Sequence, residues 1–240
     1  METNHCYDWL LFDADGTLFD YDLAEEKALE STFHDLNLPF ADDYRLAYRE
    51  INRQIWIDFE NRKITAEALR TRRFELLFNA IGISADPESF SPRYLVRLSQ
   101  QAHLIEGAEA VVKALAGTFR LAIITNGLSD VQRPRLAHSP LQPFFDEVAI
   151  SEEIGAAKPD PAYFEAVFNR IAARFAPPRK DRVLVIGDSL SSDIQGGIHF
   201  GLATCWFNPS GKPARAGLQP TYEIRQLAQL IPLVAPSRSM

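Results

Sequence analysis

Asp13-Ala14-Asp15-Gly16-Thr17 places two carboxylates one residue apart at the end of a short apolar run, Trp9-Leu10-Leu11-Phe12. The run reads as a buried β-strand, and Gly16 permits a sharp turn after it. A second apolar run, Val183-Leu184-Val185-Ile186, ends in Gly187-Asp188-Ser189-Leu190-Ser191-Ser192-Asp193. Aspartates at the ends of two strands suggest one cation held between them, although either group alone also fits a plain turn. Polar groups close two more strand ends: Thr125-Asn126 after Leu121 to Thr125, and Lys158 in the loop after Ile150. If these strands are parallel neighbours, their ends converge where open α/β sheets bind ligands. Carboxylates crowded there raise one another's pKa, and a divalent cation removes the conflict. Hard oxygen donors completed by water suit Mg²⁺; the lack of a Cys/His cluster argues against zinc. Such an ion beside a lysine and a threonine makes a phosphate site. A carboxylate in it can attack phosphorus to give an aspartyl-phosphate, and a second can protonate the leaving oxygen and then activate water.

The elements that must position these groups alternate. After the first strand, Leu23 to Gln101 is helical in pattern, with apolar faces marked by Leu29/Phe33/Leu36, Tyr44/Tyr48/Ile51/Ile55, Leu69/Leu76/Leu77 and Leu95/Leu98. Ser91-Pro92 reads as a helix start. From Glu106 onward strand and helix alternate: a helix near Ala108 to Ala116, strands at 121–125 and 148–150, and a helix capped by Asp160-Pro161. A strand at 183–186, a helix ending at Gly201, a strand at 203–207 and a last helix over Tyr222 to Leu230 complete the pattern. Pro134 should kink the helix that contains it or delay its start. The pattern predicts an α/β fold: a Rossmann-like parallel sheet with helices on both faces, plus an inserted α-helical cap. The expected division is a core of residues 1–19 and 102–240 and a cap of residues 20–101.

The chain has 240 residues, 46% of them hydrophobic, enough for a full core. A net charge of -7 argues against a nucleic-acid polymer as partner, and no apolar run is long enough to span a membrane. The first five residues lack the basic start and apolar stretch of an export signal. Cys6 and Cys205 have no metal-ligand spacing and read as two free buried thiols in a reducing cytoplasm.

Asp13-x-Asp15-Gly16-Thr17, Thr125-Asn126, Lys158-Pro159 and Gly187-Asp188-x4-Asp193 resemble, in order, the four motifs of the haloacid dehalogenase superfamily, with a helical cap between the first and second. The resemblance implies that Asp13 is the nucleophile and a Mg²⁺ ligand. It implies that Asp15 is the general acid/base and a ligand through its backbone carbonyl, and that Asp188 is the third protein ligand. Thr125 and Asn126 would hold the phosphate, Lys158 would bind it and offset its charge, and Asp193 would support the metal from behind. The family's dehalogenases lack an acid at the position of Asp15, so this chain resembles a phosphatase. Asp8-Trp9, Ile55-Trp56-Ile57-Asp58, Ile150 to Gly155 and Gly201 to Trp206 are similar to the bacterial branch of pyrimidine 5′-nucleotidases. Some of those proteins carry Glu where this chain has Gly16. That branch implies a nucleoside 5′-monophosphate as the small phosphorylated partner, with no polymer and no membrane. Phosphatases of sugar phosphates or phosphoglycolate share the same motifs, as would a phosphomutase or a non-catalytic binding protein on this scaffold.

Each residue also has a plainer reading. Thr125-Asn126-Gly127 fits a simple strand exit, Lys158 a solvated surface lysine, and Asp193 a helix N-cap. Trp56, Phe59, Tyr44 and Tyr48 fit bundle packing as well as stacking on a nucleobase. Arg70, Arg72 and Arg73 read as a solvated helix face.

Overall fold

The computed structural model describes residues 7–61, 63–215 and 217–235. In chain order these form β1 (Trp9–Phe12), α1 (Tyr21–Asp35), α2 (Asp42–Glu60), α3 (Ala66–Ile81), α4 (Pro87–Ser99) and α5 (Ala108–Leu115). Then come β2 (Arg120–Thr125), α6 (Ser129–Ala137), β3 (Glu147–Ile150), α7 (Ser151–Ile154), α8 (Pro161–Ala172) and β4 (Val183–Gly187). The last are α9 (Gln195–Phe200), β5 (Ala203–Phe207), β6 (Tyr222–Ile224) and α10 (Leu230–Val234). Two compact units result. One runs to Asp20 and takes up again over His103–Ser129 and from Ser139 onward; the other comprises Tyr21–Ala102 with Asp130–His138.

The first unit is built on one parallel sheet in the order β3-β2-β1-β4-β5-β6. β1, buried at all four residues, is central and has β2 and β4 as neighbours. Its unbroken apolar run suits a strand covered on both faces. Trp9 and Leu11 face a core that includes Ala122, Ile124, Tyr163, Phe164, Val183 and Val185. Strand order reverses direction at β1, so its carboxyl end opens beside those of β2 and β4, the usual ligand crevice of such sheets.

The second unit is helical. α2 packs on α3, and α4 on both α1 and α3, around an aromatic core: Phe33 packs on Phe78 and Phe90, and Tyr48 stacks on Phe74 at 5.5 Å with the rings 8° from parallel.

Four local readings need correction. Tyr222 to Ile224 is a strand, not the start of a helix: it pairs in parallel with Cys205 to Phe207, and the helix comes later, at Leu230. Aromatic and β-branched side chains favour that pairing, which the isolated segment does not reveal. The helix read at Ser91-Pro92 starts earlier, at Pro87, where the Asp86 side chain accepts hydrogen bonds from the Glu88 and Ser89 amides. Ser91 instead donates its hydroxyl to the Arg70 carbonyl, 2.8 Å, and α4 passes through Pro92 without the N–H that proline lacks. Pro134 likewise sits inside α6 without delaying it. Arg73 is fully buried rather than solvated, with its Nη1 donated to Asn52 Oδ1 at 3.2 Å and its guanidinium over the Tyr94 ring. Cys205 is a free buried thiol, as expected; Cys6 and the first residues lie outside the described residues. No helix among the described residues is long and apolar enough to cross a membrane.

Candidate active site

The register of the sheet brings the motif residues together. Phe12 pairs with Ile123 on one side and Ile186 on the other, so Asp13, the end of β2 and the end of β4 lie side by side. The Asp13 amide continues the ladder by donating to Ile186 O at 2.8 Å. Asp13, Asp188 and Asp193 each offer a carboxylate oxygen, and these oxygens lie within 4.8 Å of one another. Asp13 and Asp193 are buried, while the Asp188 side chain reaches the surface.

Lys158 stands among them, 1% exposed. Its Nζ donates to Asp13 Oδ1 at 2.6 Å, to Asp193 Oδ1 at 2.6 Å and to the Ile124 carbonyl at 2.8 Å. Three bonds use all three ammonium hydrogens, so Lys158 is not the solvated lysine of the plainer reading. Burial pulls its pKa down, but Asp13 and Asp193 outweigh burial and the net shift is upward, so the group stays charged. Burial, with Asp193 and Asp188 adding repulsion, holds the Asp13 carboxyl well above its ordinary range against the pull of Lys158. Although Asp188 is exposed as a residue, desolvation of its carboxyl among the neighbouring acids, and then the charge of Asp193, raise it to about 7. One lysine therefore does not neutralise the three acids. A hard divalent cation fits this all-oxygen donor set and would supply the missing charge.

The scaffold of the cluster is backbone-bound on every side. The Asp188 amide donates to Thr17 Oγ1 at 3.1 Å, and the Trp206 indole donates to the Asp188 carbonyl at 2.9 Å. Asp193 Oδ2 accepts from the Ser189 amide at 3.1 Å and closes the 188–193 loop. Asp193 thus braces both the loop and Lys158, and it stands in the cluster rather than only behind it. Asp15, two residues beyond Asp13 and half-buried, contributes no side-chain oxygen to the three-carboxylate group.

Thr125 Oγ1 accepts from the Gly127 amide at 3.0 Å. Asn126 has a different geometry from a side chain reaching for a ligand. Its Nδ2 donates to the Lys158 carbonyl at 2.9 Å and its Oδ1 accepts from the Lys158 amide at 2.8 Å. The amide is a two-pronged clamp that fixes the backbone carrying Lys158. Sequence reading gave Trp206 no structural role. Nothing in its spacing reveals one, because the link arises from register: Gly187 pairs with Trp206 across β4 and β5.

Comparison with known proteins agrees with this geometry. The family model of haloacid dehalogenase-like hydrolases matches residues 7–201. The chain is 37% identical to pyrimidine 5′-nucleotidase PynA of Streptococcus pneumoniae, over 94% of this chain and 94% of the relative. It is 34% identical to pyrimidine 5′-nucleotidase YjjG of Escherichia coli, over 93% of this chain and 96% of that one. The crystal structure of HAD-hydrolase YfnB from Bacillus subtilis, bound to magnesium, superposes with a TM-score of 0.89 at 39% identity, covering 95% of this chain and 98% of that chain. The chain belongs to the haloacid dehalogenase-like hydrolases.

Proposed function

We propose that this hydrolase is a Mg²⁺-dependent phosphomonoesterase that works through an aspartyl-phosphate and acts on nucleoside 5′-monophosphates. The observation that carries the chemistry is the Asp13–Lys158 pair at 2.6 Å, set at a strand end within a three-carboxylate cluster. Lys158 engages Asp13 Oδ1 and leaves Oδ2 as the attacking oxygen. In the first step Oδ2 bonds to phosphorus, the ester P–O bond breaks, and Asp15 gives its proton to the departing alcohol oxygen. In the second step Asp15 takes a proton from water, whose oxygen attacks phosphorus, and the bond to Asp13 breaks to release phosphate. Thr125 and the loop at Asn126 hold the phosphoryl oxygens, and Asn126 keeps Lys158 in line. Bound Mg²⁺, held by Asp13, Asp188 and the Asp15 carbonyl with Asp193 in support, would offset charge on those oxygens. The helical unit serves as the cap that selects the leaving group.

The nucleotide reading is supported by two relatives named for pyrimidine 5′-nucleotidase activity that match nearly the whole chain. The test is Mg²⁺-dependent phosphate release from ribo- and deoxyribonucleoside monophosphates, sugar phosphates and phosphoglycolate. Preference for UMP, dUMP or dTMP is the expected result; preference for a sugar phosphate would keep the mechanism and discard the nucleotide. Asp13→Asn is expected to abolish turnover with the circular dichroism unchanged. Turnover that survives this change would remove the covalent step.

A further inference from the structure

The loop that follows β5 carries a second lysine towards the carboxylate cluster, and none of the hydrolytic steps uses it. Asn208, 2% exposed, stands at the start of this loop. Its Nδ2 donates to the Lys212 carbonyl at 2.9 Å, and its Oδ1 accepts from the Lys212 amide at 2.9 Å. The same Nδ2 donates to Glu223 Oε1 on β6 at 2.7 Å, and the Gly211 amide donates to the Asn208 carbonyl at 3.1 Å. A buried amide thus ties the backbone at Lys212 to the end of the sheet. Asn126 grips Lys158 in the same way, with one side-chain amide on both backbone groups of a lysine. A lysine needs no such anchor merely to be solvated.

Sheet register sets where this lysine stands. β5 lies beside β4, with Trp206 paired to Gly187. The Trp206 indole holds the Asp188 carbonyl, and Asn208 follows two residues later. The loop from Asn208 to Lys212 therefore leaves the sheet at the same carboxyl edge as the Asp188 loop. The Lys212 charge reaches the Asp188 carboxyl, where it pulls against burial and Asp193. Lys212 is exposed, and its ammonium makes no hydrogen bond or ion pair among the described residues.

The cluster has a need that this lysine meets. A phosphate monoester arrives as a dianion, at three carboxylates in a protein of net charge -7. Lys158 spends all three N–H groups on Asp13, Asp193 and the Ile124 carbonyl, so it has no free donor for an incoming anion. Lys212 keeps its donors free, beside the one carboxylate of the three that reaches the surface. We infer that Lys212 receives the phosphate dianion at the exposed edge of the site and draws it towards Asp13, with Asn208 as its positioning residue. The inference rests on the phosphomonoesterase reading above. A cation at such an edge acts on the capture of the anion more than on the bond-breaking step.

The test uses the full-length protein with Mg²⁺ and the monoester it hydrolyses best. At low salt Lys212→Met should lower kcat/KM about fivefold, mainly through KM, and weaken inhibition by inorganic phosphate by a similar factor. Lys212→Arg, which keeps the charge, should recover most of the loss, and Asn208→Ala should show part of it. In about 1 M sodium chloride, where the screening length is about 3 Å, parent and Lys212→Met should converge. A lysine beside Asp188 also repels the metal, so Lys212→Met should need about half as much Mg²⁺ for half-maximal rate. A purely structural role would weaken the metal and the phosphate together. If Lys212→Met matches the parent in kcat/KM and salt dependence, or needs more Mg²⁺, the lysine does not receive the phosphate and the phosphomonoesterase reading stands. If the parent releases phosphate from none of the monoesters, that reading fails and this inference falls with it.

Discussion

Gly16 has φ +84°, and a Cβ built on it would lie 2.7 Å from Asp188 Oδ2. Both facts forbid a side chain there without movement: the backbone sits where non-glycine residues are strained by roughly 1–2 kcal/mol, and the carboxylate it would strike belongs to the candidate metal site. Gly16→Ala is expected to lose at least tenfold in activity and to need more Mg²⁺ for half-maximal rate, read from a Mg²⁺ titration beside a melting curve. Trp206 acts on the 188–193 loop from the far side. Trp206→Phe keeps the ring and removes one hydrogen bond worth about 1 kcal/mol, so direct calorimetry should show Mg²⁺ affinity falling about fivefold. At this scale the chemistry-bearing side chains were legible in the sequence, since Asp13, Lys158, Asp188 and Asp193 do converge. Their hydrogen-bond assignments were not: the clamp of Asn126 on Lys158 joins residues 32 apart, and the latch of Trp206 joins residues 18 apart. Those partners depend on sheet register, which no local spacing encodes.

At the level of elements, α1 to α4 follow from apolar periodicity, but the polar interior between them does not. Arg73 lies in a run of basic residues that looks solvated, and only tertiary packing turns it inward. Its neighbour Glu25 carries the measurable consequence. Burial raises the Glu25 carboxyl to about 7, opposed by the Asn52 hydrogen bond and the Arg49 charge; Asp22 on α1 adds to the rise and Arg73 on α3 opposes it. The native protein therefore retains a proton that the unfolded chain releases near its ordinary value of 4.5. Stability from this group is complete below about 4.5 and is lost as pH climbs to about 7, a fall of about 3 kcal/mol across the window. Melting temperatures taken from pH 5 to 8 should decline more steeply for the parent than for Glu25→Gln, which cannot titrate. Parallel slopes would mean that Glu25 ionises normally. Strand β6 shows the opposite limit on legibility: Tyr222, Glu223 and Ile224 look like the opening of a helix until β5 offers them a ladder.

For the molecule as a whole, a net charge of -7 and three acids around one lysine are the features through which a bound cation would act on the folded state. A ligand that binds only the folded chain stabilises it by mass action. Millimolar Mg²⁺ should raise the melting temperature by a few degrees and EDTA should reverse this, with the response lost in Asp188→Asn; an equal response in that variant would move the ion elsewhere. The sheet that carries the site has a further property in its outermost strands. β3 and β6 are four and three residues long, and each contains a glutamate. Glu147 is tied to Arg170 and Arg174, and Glu223 accepts from Asn208 at 2.7 Å. Short edges bearing fixed charge make poor templates for another strand. The protein can thus hold a long apolar interior, Trp9 to Phe12 and Val183 to Ile186 included, while offering little purchase to edge-to-edge aggregation.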